Sequence, residues 1–359
     1  MIMANDNLMN IVFTPISLVT LLGFLNHVYR IYTRVESIWR TVFKEDVTGK
    51  VVLITGASSG IGEHLAYEYA KRGACLALVA RREDRLRHVA SKAEEMGSPY
   101  ALVIQGDVTN AEDCRRFVNT AATVFGRLDH LVTNAGVCPV SLFEDIPDVT
   151  QLAPSMDINF WGSVYSSYFA IPHLRETHGK IVVISSCASW LPAPRMSFYN
   201  ASKAAVVAMY ETLRVELGTE IGITIVTPGL IESEMTGGKF LNQQGRLGMD
   251  KEMRDVQLSV MPLESTAECA ESIVNSALRG DKYLTEPEWY RSIFWVKAFC
   301  PDAIEWSNRF FLLPPPGRSV DDARSKKIAD IANRCKESIF WFLEILPSLA
   351  TGSFLLDHN

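Results

Sequence analysis

The chain lacks the cysteine patterns of metal centres and disulfide frameworks. Its seven cysteines are odd in number, and none stands in a Cys-x-x-Cys pair. No group of histidines and cysteines has the spacing of metal ligands either. We therefore expect no metal ion, and a reducing compartment fits the free cysteines best.

The chain also lacks an excess of basic charge and a linker in its central part. It has 35 Lys and Arg against 41 Asp and Glu, a formal net charge of -6, so we expect no binding of nucleic acid. Strand and helix patterns alternate between residues 50 and 287 without interruption. This continuity favours one large α/β domain over two smaller ones.

Seven short apolar segments have the pattern of buried strands, and longer segments of helical period lie between them. The strands are predicted at Val51–Thr55, Cys75–Ala80, Ala101–Gln105, His130–Thr133, Ile181–Ser185, Thr224–Thr227 and Tyr283–Thr285. Helices are predicted, among others, at Glu63–Arg72, Asp84–Met96, Ala111–Phe125 and Tyr199–Gly218. Such alternation predicts an α/β, Rossmann-type, doubly wound parallel sheet with its ligand at the carboxyl ends of the strands.

Two motifs carry the chemistry. The segment Thr55-Gly56-Ala57-Ser58-Ser59-Gly60-Ile61-Gly62 follows the first predicted strand, and its glycines allow a pyrophosphate to approach the next helix N-terminus. Far downstream, Tyr199 and Lys203 are i and i+4 neighbours on a predicted helix. A nearby ammonium favours phenolate and lowers the phenol pKa toward neutrality, so we expect Tyr199 to be the proton donor and acceptor.

Together these motifs resemble those of the short-chain dehydrogenase/reductase family. Over residues 46–290 the chain is similar to plant hydroxysteroid dehydrogenases called steroleosins, relatives of 11β-hydroxysteroid dehydrogenase. The resemblance implies a nicotinamide-dependent oxidoreductase with Tyr199, Lys203, Ser186 and Asn159 as its catalytic residues. It further implies that Ser186 and Tyr199 bind the substrate oxygen, that Lys203 binds the nicotinamide ribose, and that Asn159 holds a water.

The resemblance also implies where the cofactor binds. Asp107 and Val108 are expected to contact the adenine, and the segment from Pro228 to Ser233 the carboxamide of the nicotinamide. Asn134 is expected to have a mainly structural role. It follows Thr133, where the family usually has asparagine. The expected cofactor-binding residues are Gly56, Ser58, Ser59, Gly60, Ile61, Gly62, Arg81, Arg82, Asp107, Val108, Asn134, Ala135, Gly136, Tyr199, Lys203, Pro228, Gly229, Ile231 and Ser233.

The second predicted strand ends without the carboxylate that would hold a ribose 2′-hydroxyl, and reads Ala80-Arg81-Arg82 instead. A guanidinium can pair with a 2′-phosphate through charge-assisted hydrogen bonds. We therefore expect NADP(H) rather than NAD(H), bound by Arg81 with Ser58 or Arg82 assisting. The alternative is that both arginines are solvated charges at the start of a helix.

Charged residues are missing between Asp6 and Arg30, and the apolar run there predicts a membrane anchor. A cleaved signal peptide is the competing interpretation, and Pro15 leaves a re-entrant hairpin open. Residues 31–44 have the period of an interfacial amphipathic helix or of a linker helix packed on the domain. If the anchor spans the bilayer, the basic residues after it place the catalytic domain in the cytosol. The sequon at Asn200 agrees with this side of the membrane, because a glycan there would block the site.

Three parts are therefore expected. They are an anchor with amphipathic helix at 1–45, the catalytic domain at 46–290, and an aromatic-rich extension and tail at 291–359, of which 318–359 receives no role. Residues 233–265 show no strong strand pattern, and we interpret them as a lid over the substrate. The aromatic residues of 287–313 either pack against the domain or contact a membrane, and the sequence does not decide between the two.

The residues expected around the substrate, such as Cys138, Met196 and Leu230, are mainly apolar, which suits a hydrophobic alcohol or ketone. Resemblance to steroleosins favours a sterol or steroid, with Tyr199 taking its hydroxyl proton as hydride leaves for NADP+, or the reverse. The expected location is the endoplasmic reticulum membrane or the lipid droplet, and a homo-oligomer is left open. Alternative substrates are a retinoid, a long-chain alcohol or a ketosphinganine-like ketone; a non-enzymatic alternative is a lipid-droplet coat protein with a scaffold role.

Overall fold

The computed structural model describes residues 24–28, 31, 44–258, 261–315 and 317–331. The described part of residues 47–277 and 281–359 makes one compact unit, and that of residues 1–46 with 278–280 makes a second, smaller one. Most of the predicted anchor lies outside the described residues. Within the described ranges, no helix has the length and apolarity needed to cross a membrane.

The larger unit is built on a seven-stranded sheet in the order β3-β2-β1-β4-β5-β6-β9, in which every pairing is parallel. The strands are β1 Val51–Thr55, β2 Cys75–Ala80, β3 Ala101–Gln105, β4 His130–Thr133, β5 Lys180–Ile184, β6 Gly222–Pro228 and β9 Tyr283–Glu286. The order reverses between β1 and β4, so a crevice for ligand opens at their carboxyl ends.

Helices cover both faces of this sheet, as a parallel sheet requires. The α-helices include α1 Gly60–Ala70, α2 Glu83–Glu95, α3 Ala111–Phe125, α4 Ala153–Met156, α5 Gly162–Thr177, α6 Ser197–Leu217, α7 Lys251–Leu258, α8 Thr266–Arg279, α9 Tyr290–Phe299 and α10 Pro301–Leu312. Local sequence sets their ends: the Asn110 side chain accepts from the N–H groups of Glu112 and Asp113 before α3, and Gly126 ends that helix in the left-handed region.

The predicted Rossmann-type sheet is confirmed, with all seven strands in place and their ends shifted by at most two residues. The strands were readable because their side chains are buried on both faces and so form continuous apolar runs; all five residues of β1 are buried.

The segment 233–265 departs from the expectation that it holds no clear strand. It contains an antiparallel hairpin of β7, Lys239–Leu241, and β8, Leu247–Met249, followed by α7. Each strand has only three residues and β8 is exposed throughout, so neither leaves an alternating pattern in the sequence.

Candidate active site

The glycine-rich turn between β1 and α1 depends on the absence of side chains at its glycines. Gly56 and Gly60 have φ of 68° and 59°, in the left-handed region that favours glycine. A Cβ on Gly62 would lie 2.4 Å from Asn134 Nδ2 and 2.5 Å from the Gly56 carbonyl oxygen. The turn therefore brings the backbone close to the N-terminus of α1, where N–H groups and the helix dipole favour an anion.

Asn134 fixes this turn from the neighbouring strand. Its side chain donates to the carbonyl oxygens of Thr55, at 3.1 Å, and Gly56, at 3.2 Å, and its backbone N–H donates to Thr55 Oγ1. These contacts agree with the mainly structural role expected of Asn134, since they hold the turn against β4.

A cavity of about 590 Å³ opens at the carboxyl ends of the strands. Nearly all of the expected cofactor-binding and catalytic residues line it, and only Gly62 and Asn159 do not. The expected residues on its wall are Gly56, Ser58, Ser59, Gly60, Ile61, Arg81, Arg82, Asp107, Val108, Asn134, Ala135, Gly136, Ser186, Tyr199, Lys203, Pro228, Gly229, Ile231 and Ser233. The size and the glycine-rich wall fit a dinucleotide better than a small metabolite.

Three predicted catalytic side chains meet on one wall of the cavity. Tyr199 and Lys203 share a face of α6, with Lys203 Nζ 5.8 Å from the centre of the Tyr199 ring. Ser186 follows β5 and lines the same cavity. A substrate oxygen can thus be reached by a hydroxyl and a phenol at once.

The side chains of Ser185 and Ser186 make different contacts. Ser185 Oγ donates to the Lys203 carbonyl oxygen at 2.9 Å, which ties β5 to α6. Ser186 Oγ accepts from the Ala188 N–H at 3.1 Å and donates to the Pro228 carbonyl oxygen at 3.3 Å. The two serines therefore differ in their contacts, and the substrate-binding role of Ser186 stays a prediction.

The expected lowering of the Tyr199 pKa is wrong. Burial raises the pKa of the phenol well above its ordinary value, the nearby Cys138 adds to the rise, and the hydrogen bond with Ser186 opposes it. Burial also lowers the pKa of Lys203 to about 8, and its ammonium donates to the Ile184 carbonyl oxygen rather than to the phenol. Tyr199 is consequently held protonated, as a proton donor must be.

Asn159 lies in a widened, π-helical turn, Asp157–Trp161, between α4 and α5, a distortion often found at functional sites. Its fully buried amide accepts from the Val137 N–H at 2.8 Å and donates to the Val137 carbonyl oxygen and to Ser202 Oγ, both at 2.9 Å. A Cβ on Gly136 would lie 3.3 Å from Asn159 Oδ1 and 3.5 Å from Lys203 Nζ. Glycine there lets the two side chains approach, and the water between them stays a prediction.

The two arginines at the end of β2 differ in their contacts. Arg82 Nη2 donates to Ser58 Oγ at 3.0 Å and to Ser59 Oγ at 2.6 Å. The Arg81 guanidinium is more than half exposed, and its nearest carboxylate oxygen, on Asp107, is 3.9 Å away. Arg82 rather than Arg81 is therefore the cation placed beside the serines of the glycine-rich turn.

The Pro228–Ser233 segment is shaped by its neighbours. A Cβ on Gly229 would lie 2.3 Å from the Tyr290 ring, so glycine is required for Tyr290 to pack there. Thr236 Oγ1 donates to the Ile231 carbonyl oxygen at 2.7 Å and accepts from the Ser233 N–H at 2.8 Å. These bonds close the segment into a turn at the cavity wall.

Apolar side chains surround the Tyr199 ring. Cys138, Val140, Ala188 and Phe240 pack around the Tyr199 ring, with Met196, Met235 and Met253 partly buried against them. Phe240 and Met253 were not anticipated, because they belong to the hairpin and helix that the sequence pattern did not reveal. The ring of Tyr199 therefore lies in apolar surroundings, and Met235 of this cluster also lines the cavity.

The loop between Ser186 and Tyr199 is attached to the C-terminal helices by three side chains. Lys297 of α9 donates to the Trp190 carbonyl oxygen, and Asn308 of α10 donates to that of Pro192. Arg195 Nη1 donates to the Leu312 carbonyl oxygen at 2.7 Å. The position of the loop therefore depends on α9 and α10.

Sequence reasoning missed Glu234 and Lys239, which also line the cavity. Glu234 forms an ion pair with Arg82 across 152 positions, and with Arg85 and Lys239. The local sequence shows only that an acidic residue follows Ser233 and that Lys239 stands five positions later. It gives no sign of the distant partners Arg82 and Arg85.

Comparison with known proteins gives a consistent result. The family model described as short chain dehydrogenase matches residues 50–244. The chain is 54% identical over 322 residues to 11-beta-hydroxysteroid dehydrogenase A of Sesamum indicum, covering 90% of this chain and 92% of the relative. It is 57% identical over 294 residues to 11-beta-hydroxysteroid dehydrogenase A of Arachis hypogaea, covering 82% and 84%.

Solved structures share the fold of the central part. An alcohol dehydrogenase from the archaeon Thermococcus sibiricus, complexed with 5-hydroxy-NADP, is 27% identical with a TM-score of 0.55, covering 66% of this chain and 95% of its own. A 3-ketoacyl-(acyl-carrier-protein) reductase from Brucella melitensis, complexed with NADH, is 26% identical with a TM-score of 0.57, covering 67% and 97%. In these relatives the fold holds a nicotinamide dinucleotide.

Proposed function

The chain belongs to the short-chain dehydrogenase/reductase family, and we propose that it interconverts a hydroxyl and a ketone on a sterol or steroid with NADP(H). The observation that carries this proposal is the wall on which Tyr199, Ser186 and Lys203 meet beside a glycine-rich turn. Each of these residues can act on a substrate oxygen or on the ribose next to it.

In the proposed reaction Ser186 and Tyr199 both hydrogen-bond the substrate oxygen. A bound nicotinamide would supply or accept the hydride, and Tyr199 would supply or accept the proton. Because burial raises the pKa of Tyr199, the phenol is protonated at neutral pH and ready to donate during ketone reduction. Lys203, buried beside it, would hold the ribose hydroxyls with its ammonium donors.

Arg82 supports NADP(H) over NAD(H). Its guanidinium, with Ser58 and Ser59, forms a group of donors at the edge of the cavity, the chemistry that a phosphate dianion needs. At the same edge Arg81 is exposed and free to turn toward a second phosphate oxygen. We therefore assign the leading part to Arg82 and the assisting part to Arg81.

The apolar cluster around Tyr199 supports a hydrophobic substrate, and the relatives named 11-beta-hydroxysteroid dehydrogenase favour a steroid among such molecules. A rigid ring system suits such apolar surroundings, because it loses little conformational entropy on binding. A retinoid or long-chain alcohol shares the same apolar chemistry and is the competing substrate class.

Turnover of the full chain in detergent tests the proposal. With NADPH and a panel of ketosteroids, retinal and long-chain aldehydes, we expect the highest kcat/KM for a steroid, and about tenfold or more lower activity with NADH. Preference for a straight-chain substrate would contradict the steroid assignment while leaving the oxidoreductase assignment intact.

Arginine variants provide the matched control for the cofactor. Arg82→Ala should raise the Kd of NADPH by about tenfold to a hundredfold and leave the Kd of NADH nearly unchanged, because only NADPH carries the 2′-phosphate. Arg81→Ala should have the smaller effect. Equal losses for both cofactors would show that Arg82 only supports the turn.

We also propose that the protein works at a lipid surface, the endoplasmic reticulum membrane or a lipid droplet. The charge-free stretch before Arg30 supports this, and so do exposed aromatic side chains on the C-terminal helices. Trp295, Phe299 and Trp306 are 59%, 77% and 63% exposed, and amphipathic aromatic rings favour membrane interfaces. The same helices hold the loop of Trp190 and Pro192, which would place the substrate wall near the lipid.

Flotation with phosphatidylcholine vesicles tests this location. The full chain should float, deletion of residues 1–44 should release most of it, and replacing Trp295, Phe299 and Trp306 by serine should remove the remaining bound fraction. Serine at the exposed Phe143 and Tyr168 is the matched control and should change nothing. Unchanged flotation after the deletion and the triple replacement together would contradict the proposal.

A further inference from the structure

A single carboxylate, Glu234, is surrounded by cations at the edge of the cavity. Its oxygens accept from Arg82 Nη1, both at 3.0 Å, and from Lys239 Nζ at 2.9 Å. Arg85 Nη1 and Ser59 Oγ donate to the same group. The donors come from the glycine-rich turn, the end of β2, the first turn of α2 and the start of β7.

These donors overlap with those proposed for the cofactor phosphate. Arg82 Nη1 contacts Glu234 while Nη2 of the same guanidinium contacts Ser58 and Ser59. Glu234, Arg82, Lys239 and Ser59 all line the cavity. Burial alone would raise the pKa of Glu234, but hydrogen bonds from Lys239 and Arg82 lower it to about 2, so the carboxylate is charged at any physiological pH.

Glu234 is also connected to the apolar cluster around Tyr199. The Lys239 N–H donates to the Glu234 carbonyl oxygen at 2.9 Å, so the residue closes the turn that leads into β7. Met235 and Phe240, on either side of that turn, both belong to the apolar cluster around Tyr199. A shift of Glu234 would therefore move side chains that we expect to touch the substrate.

We propose that Glu234 is an internal anion that competes with the 2′-phosphate of the cofactor for Arg82, and that its displacement by the phosphate releases the 234–241 turn beside the substrate. The inference rests on the proposed use of NADP(H). It assigns Glu234 a specificity-determining role: the carboxylate weakens phosphate binding and couples it to the substrate wall.

A pair of nucleotides that differ by one phosphate tests the competition without turnover. Adenosine 2′,5′-bisphosphate and adenosine 5′-monophosphate share the adenosine and the 5′-phosphate, and neither carries a nicotinamide. Calorimetric titration should show that Glu234→Gln tightens binding of the bisphosphate by about tenfold, because the phosphate no longer displaces a charged group. Binding of the monophosphate should change by less than about twofold, since its phosphate does not need Arg82.

Glu83→Gln is the matched control. Glu83 is the first residue after Arg82, and its carboxylate pairs with Arg87, so the variant changes the net charge equally without freeing Arg82. It should leave both nucleotides nearly unaffected. Because Arg82 and Glu234 are each about a third exposed, general electrostatics are screened and a large effect of Glu83→Gln is not expected.

Each other result has a definite meaning. Unchanged or weaker bisphosphate binding by Glu234→Gln, with wild type still preferring the bisphosphate, would overturn the competition and leave the NADP(H) proposal standing. A wild-type protein that binds both nucleotides equally would overturn the NADP(H) proposal and the inference together.

Hydrogen exchange measures the release of the turn. The bisphosphate should speed amide exchange in peptides covering residues 235–241 of wild type, while the monophosphate should not. In Glu234→Gln the same peptides should exchange fast before any nucleotide is added. Slow exchange in that variant would overturn the coupling, because the ion pairs would then not be what holds the turn.

Discussion

Tyr199→Phe should lower kcat/KM for the preferred ketone by about a thousandfold, while the Kd of NADPH changes little. General acid–base catalysis by a positioned group contributes roughly 10²–10⁴-fold, and the variant removes only the hydroxyl that carries the proton. The ring remains to pack with Cys138 and Phe240, so the fold should persist. Steady-state turnover and fluorescence titration of NADPH check the two halves of the prediction.

Tyr210→Phe is the control that this chain offers. Tyr210 lies on the same helix, is fully buried, and its hydroxyl is hydrogen-bonded to Ser167 and to the Ser163 carbonyl oxygen. It tests the loss of a buried hydroxyl away from the cavity, so it should lower stability without a comparable loss of turnover. If Tyr199→Phe kept a tenth of wild-type turnover, the proton would have to come from another group. If wild type turned over no substrate at all, the scaffold role would be favoured instead.

The sheet and the cofactor turn could be predicted because their signals are local. β1 is five buried residues in sequence, and Gly56, Gly60 and Gly62 follow it within eight positions. Burial on both faces, turn conformation and close backbone approach each require particular residue types at fixed spacing. The same holds for Tyr199 and Lys203, whose shared helix face follows from four-residue spacing alone.

The edge of the cavity could not be predicted because it depends on distant pairing. The sequence favoured Arg81 for the phosphate, while the structure places Arg82 beside Ser58 and Glu234. Which of two adjacent arginines turns inward depends on the direction of the chain as it leaves β2. Neither that direction nor a carboxylate 152 positions away leaves a periodic trace.

The electrostatics of the catalytic pair were also beyond the sequence. Spacing showed that Lys203 lies near Tyr199, and proximity of a cation suggested a lowered phenol pKa. In the structure both groups are buried, and desolvation is the largest cause of each shift: it raises the pKa of Tyr199 and lowers that of Lys203. Burial depends on what packs over the pair, and part of that cover is the hairpin residue Phe240.

Lys203 should therefore destabilise the folded protein, although catalysis requires this residue. Its pKa falls from an ordinary 10.5 to about 8 in the folded protein. Below pH 8 the ammonium is charged in both states and its burial destabilises the native state, by about 3 kcal/mol for this shift. As pH rises from 8 to 10.5 the native state loses the proton before the unfolded state does, so this cost disappears and the free energy of unfolding rises.

Lys203→Met should consequently raise the free energy of unfolding at pH 7 by about 2 kcal/mol while it removes at least about 99% of turnover. The gain is smaller than the desolvation cost because the Ile184 carbonyl oxygen loses its hydrogen bond from Nζ, which costs about 1 kcal/mol. At pH 10 the gain should shrink to zero or reverse, since wild-type Lys203 is then neutral. Urea unfolding at both pH values measures these free energies, and the exposed Lys92→Met is the control. If Lys203→Met were less stable than wild type at pH 7, the folded protein would be stabilising the buried ammonium. Catalysis and stability would then not be opposed at this position.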